Sequence, residues 1–167
     1  MIDVLSIRRG LTLAAGLMIA LSAPLAAQET SVAFGTATDR SAPIQVDSET
    51  LTVDQDSGTA VFTGKVLVEQ DSMRLSADRV EVIYNEDQTD ITRLLATGSV
   101  TLVSGEDAAE SEQADYDVAT GELLMSGNVL LVRGPSTISA EKMRVDVEAG
   151  NAVMEGRVRT LLSQGGN

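Results

Sequence analysis

The sequence predicts an all-β protein made of two facing antiparallel sheets, built from four repeats of about 29 residues. Three observations lead there. Apolar and polar residues alternate with a period of two from Pro43 onwards. A glycine recurs in one local setting at Gly64, Gly98, Gly127 and Gly156, each followed by x-Val: Lys65-Val66, Ser99-Val100, Asn128-Val129 and Arg157-Val158. Turn signals separate the alternating runs, as in Asp56-Ser57-Gly58 and Ala149-Gly150-Asn151.

Each repeat opens with a small residue and an acid: Ser48-Glu49, Ala77-Asp78, Ser111-Glu112 and Ala140-Glu141. The second copy is longer than the others, and the polar stretch Asn85 to Asp90 accounts for its extra residues as a longer turn. First-half strands carry the apolar pairs Leu51/Val53, Val80/Val82, Ala114/Tyr116 and Met143/Val145. Second-half strands carry Ala60, Phe62, Val66, Val68; Leu94, Ala96, Val100, Leu102; Leu123, Met125, Val129, Leu131; and Ala152, Met154, Val158, Thr160. A glycine at constant phase inside such a strand marks a corner, so each repeat reads as a strand, a tight turn and a long bent strand.

Residues 1–27 are read apart from the fold. Arg8 and Arg9 precede an apolar run from Leu11 to Leu21 and the small residues Ala23 to Ala27, the pattern of a secretory signal peptide cleaved after Ala26 or Ala27. The run is shorter than the ~20 residues that span a bilayer. Residues 28–42 show no period and are read as a flexible leader, residues 43–162 as the β-domain, and 163–167 as a disordered tail.

Loss of residues 1–27 removes Asp3, Arg8 and Arg9 and moves the net charge from −13 to −14. So acidic a chain offers no basic patch to nucleic acid. There is no cysteine, so packing and backbone pairing must supply the stability. The aromatic set is Phe34, Phe62, Tyr84 and Tyr116, which leaves a core of aliphatic side chains.

Catalysis finds little support. Without histidine no serine has its usual activating base. The recurrent acids Glu49, Asp78, Glu112 and Glu141 occupy equivalent places in a repeat, whereas acid catalysis needs two carboxylates made different by their surroundings. They read as solvated strand edges that discourage unwanted pairing. The stretch Asp54 to Gly58 lacks the later bidentate acid of a calcium loop and reads as a hairpin turn. No enzyme activity, cofactor or metal is expected, and with no nucleotide-binding motif any energy must come from a partner. The aliphatic face remains: composition favours an ordinary sandwich core, the functional alternative is a groove that shields alkyl chains from water, and a structural β-solenoid scaffold with a dry interior is the competing reading.

Three stretches then resemble the LptA/OstA family of periplasmic lipopolysaccharide-transport proteins: Pro43 to Ser48 (PIQVDS), Phe62 to Val68 (FTGKVLV) and Leu75 to Val82 (LSADRVEV). The similarity continues through Ala114-Asp115-Tyr116, Leu124 to Val129 and Ala140 to Met143, covering about residues 43–160. The resemblance implies a twisted, open β-jellyroll whose interior takes the acyl chains of lipopolysaccharide. It implies periplasmic localisation, head-to-tail self-assembly, and partners resembling inner-membrane LptC and outer-membrane LptD. The same domain occurs in LptC-like subunits, which keep a membrane helix; the cleavable signal argues against that alternative. Carried onto this chain, the groove set is Val53, Phe62, Val66, Val68, Val80, Val82, Ala96, Val100, Leu102, Tyr116, Met125, Val129, Leu131, Met143 and Val145. The assembly edges are Ile44, Val46 and Leu51 at one end and Val153, Val158 and Leu161 at the other. The acidity departs from the family pattern, so binding is expected to rest on the apolar face rather than on lipid phosphates.

Overall fold

A computed structural model describes residues 31–162; the expected signal peptide at 1–27, residues 28–30 of the expected leader and the expected tail at 163–167 lie outside the described residues. The strands are β1 (Ser31–Ala33), β2 (Gln45–Asp47), β3 (Thr50–Asp54), β4 (Thr59–Gln70), β5 (Met73–Tyr84), β6 (Ile91–Ser104), β7 (Asp107–Asp117), β8 (Glu122–Arg133), β9 (Ser136–Asp146), β10 (Asn151–Glu155) and β11 (Arg159–Leu161). All pair in one antiparallel sheet ordered β1-β10-β9-β8-β7-β6-β5-β4-β2, with β3 also on β4 and β11 also on β9. From β4 to β9 the order is a plain meander, because short turns let each strand pair with the next. The two layers anticipated from the alternation are the two halves of this single sheet, folded over on itself.

Four corners produce the fold. Along β4 and β5, Thr63 pairs with Arg79 and Val66 with Ala77, so Gly64 and Lys65 together oppose Asp78. The same two-against-one bulge sets Gly98-Ser99 against Glu112 and Gly127-Asn128 against Glu141. An extra residue on one strand bends it and raises its twist. At Gly127 and Asn128 the backbone takes φ of +83° and +49°, the left-handed region that side chains resist. The other three pairs, Gly64-Lys65, Gly98-Ser99 and Gly156-Arg157, repeat it.

The recurrent acids belong to these corners, which corrects their reading as mere solvated edges. A Cβ on Gly127 would lie 2.7 Å from Glu112 Oε2, and Glu49, Asp78 and Glu141 cover Gly64, Gly98 and Gly156 in the same way. Each of Asp78, Glu112 and Glu141 thus faces one bulge and covers the next glycine. Acid and glycine alternate in a line across the sheet from Glu49 to Gly156. Lys65 Nζ, Asn128 Nδ2 and Arg157 Nε donate to Glu49, Glu112 and Glu141 at 2.8, 2.6 and 2.6 Å. These contacts are exposed and contribute little energy; their geometry is what places the bend. The small residues before the acids, Ala77, Ser111 and Ala140, are buried on the inside of the bend, where the layers converge.

The longer second-copy turn is a cage around one side chain: Asn85 Oδ1 accepts from the backbone N–H of Thr89 at 2.9 Å and of Asp90 at 3.3 Å. The expectation of a flexible leader is corrected for residues 31–42. Ser31, Val32 and Ala33 pair with Val153, Ala152 and Asn151, and Phe34 is 2% exposed.

Gly127→Ala is expected to lower the unfolding free energy by about 1–3 kcal/mol, through a left-handed backbone forced on a side chain. Urea titration would measure it, and Glu112→Ala in the same chain should return only the part due to the contact. An undiminished midpoint in the single variant would contradict the corner account.

Candidate functional site

The interior between the layers is the candidate site. Opposed residues in an antiparallel pair share a face, so the pairings Ala60–Val82–Leu94–Tyr116–Leu123–Val145–Ala152 trace one continuous row across the first layer. Val68, Leu75, Leu102, Ala109, Leu131 and Ile138 form the matching row across the second. The rows face each other: Tyr116 Oη in the first layer donates 2.9 Å to Gln70 Oε1 in the second.

Of the expected groove residues, Val66, Val68, Val80, Val82, Ala96, Val100, Leu102, Tyr116, Met125, Val129, Leu131, Met143 and Val145 are all buried together in this core. Phe62 is half-buried, and Val53 is 60% exposed. Val53 pairs with Ala60 and so belongs to the inward face. It is uncovered because β3 is an edge strand with no neighbour beyond it. Sequence reasoning missed Phe34, Met73, Ala109 and Val147, also buried in the core. The signal for Met73 and Ala109 was the alternation itself, carried through the turns; Phe34 lies where no period exists.

Side chains fill the interior. The small void bounded by Phe34, Met73, Leu102 and Val145 measures about 10 Å³, room for one water. At the β3 end the row emerges into an open apolar mouth of about 280 Å³ lined by Leu51, Val53, Ala60, Phe62 and Tyr84.

Ile44, Val46 and Leu51 stand at or beside the free β2/β3 edge, and Val158 and Leu161 are exposed at the other end. Val153 is corrected: it pairs with Ser31 of β1 on one side and Arg144 of β9 on the other, so it offers no free edge. A chain segment that lacks alternation supplied this covering strand.

Gln70 is the polar exception inside. It is 1% exposed, and its Nε2 donates to the carbonyls of Arg40 and Ala42, each at 3.0 Å, while Oε1 accepts from Tyr116. A buried amide is tolerated when so satisfied. Burial pushes the Tyr116 phenol above its ordinary pKa, with the Arg40 charge opposing. At the turns, carboxylates accept backbone amides: Asp54 Oδ1 from Asp56 and Ser57, at 3.0 and 3.3 Å. Hydrogen bonds from the Ser57 side chain and from these amides hold the Asp54 carboxyl below its usual range.

Residues 45–151 match the family described as "LptA/(LptD N-terminal domain) LPS transport protein". Among solved structures, the chain is similar to LptH of Pseudomonas aeruginosa, the LptA-homologous periplasmic component of the lipopolysaccharide transport device. Their TM-score is 0.67 at 17% identity, over 76% of this chain and 99% of that one. At that identity the likeness speaks for the fold alone. No curated protein matches the chain.

Tyr116→Phe leaves Gln70 Oε1 buried without a donor and is expected to cost about 1–3 kcal/mol in denaturant titration. Adding Gln70→Met should cost much less than the two single changes summed, because the pair shares one bond. Strict additivity would mean the two layers are not coupled there.

Proposed function

The chain belongs to the LptA/LptD N-terminal domain family of lipopolysaccharide-transport proteins, and on that footing we propose that it is a periplasmic carrier whose interior shields lipid acyl chains. Like its family it is a transport protein and not an enzyme. It would work as one link in a row, passing lipid between copies of itself or to LptC-like and LptD-like partners. The observation that carries this reading is the aliphatic interior, continuous from the β3 mouth across every strand of the meander.

The physical chemistry supports it. Each methylene withdrawn from water is worth ~0.8 kcal/mol, so a few carbons of an acyl chain repay its immobilisation. Aliphatic walls of Val, Leu and Met adapt to a flexible chain better than fixed aromatic rings would. The acidity of the protein, −13 over the whole sequence, disfavours contact with anionic headgroups, which places the binding energy on the acyl chains. Because side chains fill the interior, loading requires the two layers to part, with the corners as the hinge line.

The ends suit assembly. β2 and β3 leave one side unpaired at one end of the sheet, and β11 does so at the other. Leu51 and Val53 are 52% and 60% exposed at the first end, Val158, Leu161 and Leu162 50%, 68% and 75% at the second. Unpaired, apolar edges are ordinarily a hazard; between like copies they provide strand addition. A dry scaffold is the second reading, favoured by the filled interior.

Photo-crosslinking separates the two. Adjacent positions Leu130 and Leu131 point to opposite faces, and only Leu131 is fully buried. A photo-reactive residue at 131 should yield a lipopolysaccharide adduct at least tenfold above one at 130. Equal yields, or no lipid in extracts of gently purified protein, would favour the scaffold.

A further inference from the structure

Residues 34–42 run from β1, paired with β10 at one end of the sheet, to β2, paired with β4 at the other. Because the sheet is bent at its corners, the strand ends of its two halves meet as two lips of a seam. The turns Val118–Gly121 and Val147–Gly150 form one lip, and the turns Gln70–Met73 and Ser104–Asp107 the other. The segment lies between them and bonds to both. On the first lip Phe34 N–H donates to Gly150 O at 3.0 Å and Thr38 N–H to Val147 O at 2.8 Å. On the second, Gly35 N–H donates to Asp107 Oδ2 at 2.8 Å, Thr36 N–H to Ser104 Oγ at 3.1 Å and Asp39 N–H to Asp71 Oδ2 at 3.0 Å. Arg40 spans the gap: its guanidinium reaches Ala119 O at 2.6 Å and Glu148 Oε2 at 2.7 Å, and its carbonyl accepts from Gln70.

Phe34 points into the interior. Its ring is 2% exposed and closes the small void between Met73 and Leu102 of one layer and Val145 and Val147 of the other. Elsewhere in the segment the inward contact at Thr38 is a hydroxyl, 3% exposed and 3.3 Å from Ser72 Oγ. The seam is therefore held by one aromatic anchor and a set of polar bonds, several of them to short side chains. Water can replace such bonds at small net loss. The covalent meander of β4 to β9, by contrast, offers no comparable break through which a chain could pass sideways.

We propose that residues 34–42 form a displaceable plug in the seam of the folded sheet, and that an acyl chain enters the interior by taking the place of Phe34. This rests on the carrier reading above. It adds a route of entry and a gate: the same segment that closes the core must leave for lipid to load, while β1 holds its start on β10.

A disulfide clamp tests the gate, since the chain has no native cysteine to interfere. In the otherwise complete mature protein, Thr38→Cys with Ser72→Cys joins the plug to the β4–β5 turn, where the two hydroxyls are 3.3 Å apart. Loading is read by incubating with purified lipopolysaccharide, removing free lipid and quantifying bound fatty acid. The oxidised clamp should load at least tenfold less than wild type, and reductant should restore it. Phe34→Ala, which loosens the plug without locking it, should load severalfold faster. An oxidised clamp that loads as fully as its reduced form overturns the gate while leaving the carrier reading standing. Wild type that takes up no lipopolysaccharide overturns both, and a slower Phe34→Ala rules out the ring as the blocking group.

Discussion

The rest of this structure depends on the contact between a corner glycine and the carboxylate that lies over it. An unbroken antiparallel meander of strands this long would twist into an open sheet with one apolar face in water. Two residues set against one, with both backbones left-handed, turn each long strand through a corner and bring its two halves together. The glycine is required twice over, by its φ and by the acid where a Cβ would stand. Because Asp78, Glu112 and Glu141 each face one bulge and cover the next glycine, the corners form a line, and the whole sheet folds along it at once. Small residues inside the bend, Ala77, Ser111 and Ala140, let the two layers converge there.

Folding along a line has a consequence for function. It creates an interior that crosses every strand, an unpaired edge at each end, and a seam opposite the corners. A compact sandwich with Greek-key crossovers would have none of these in register. The interior is walled by aliphatic side chains with low torsional demands, and among the described residues the charge lies outside except at Asp107, buried at the seam. On the carrier reading proposed above, acyl chains would follow this interior while polar groups stay in water, as carrying an amphiphile across an aqueous space requires.

The seam also explains why the segment before β2 is ordered by its surroundings and not by its own pattern. Its backbone donors are met by turn carbonyls, by Ser104 and by the carboxylates of Asp71 and Asp107, so it needs no ladder of its own. Gln70, buried and fully bonded, ties it to both layers through Arg40, Ala42 and Tyr116. A single phenylalanine supplies its apolar anchor.

Much of this was legible in the sequence because the alternation and the glycine phase are local signals repeated four times. They marked the strands, the corners and, except at the open ends where Leu51, Val53 and Val158 are exposed, which apolar residues are buried. The small-acid pairs were visible too, but their purpose was not: covering a glycine on the neighbouring strand is a relation between strands, and spacing along the chain does not reveal it. The covering of Val153 and the docking of Phe34 were equally hidden, since residues 31–42 have no period to read. The sequence by itself determined that there would be an aliphatic face and where its strands would bend, because side-chain alternation and glycine placement act within a few residues. Only the tertiary structure decided that this face would be sealed along one side by the chain's own leading segment, because that seal depends on two distant sets of turns brought to the same seam.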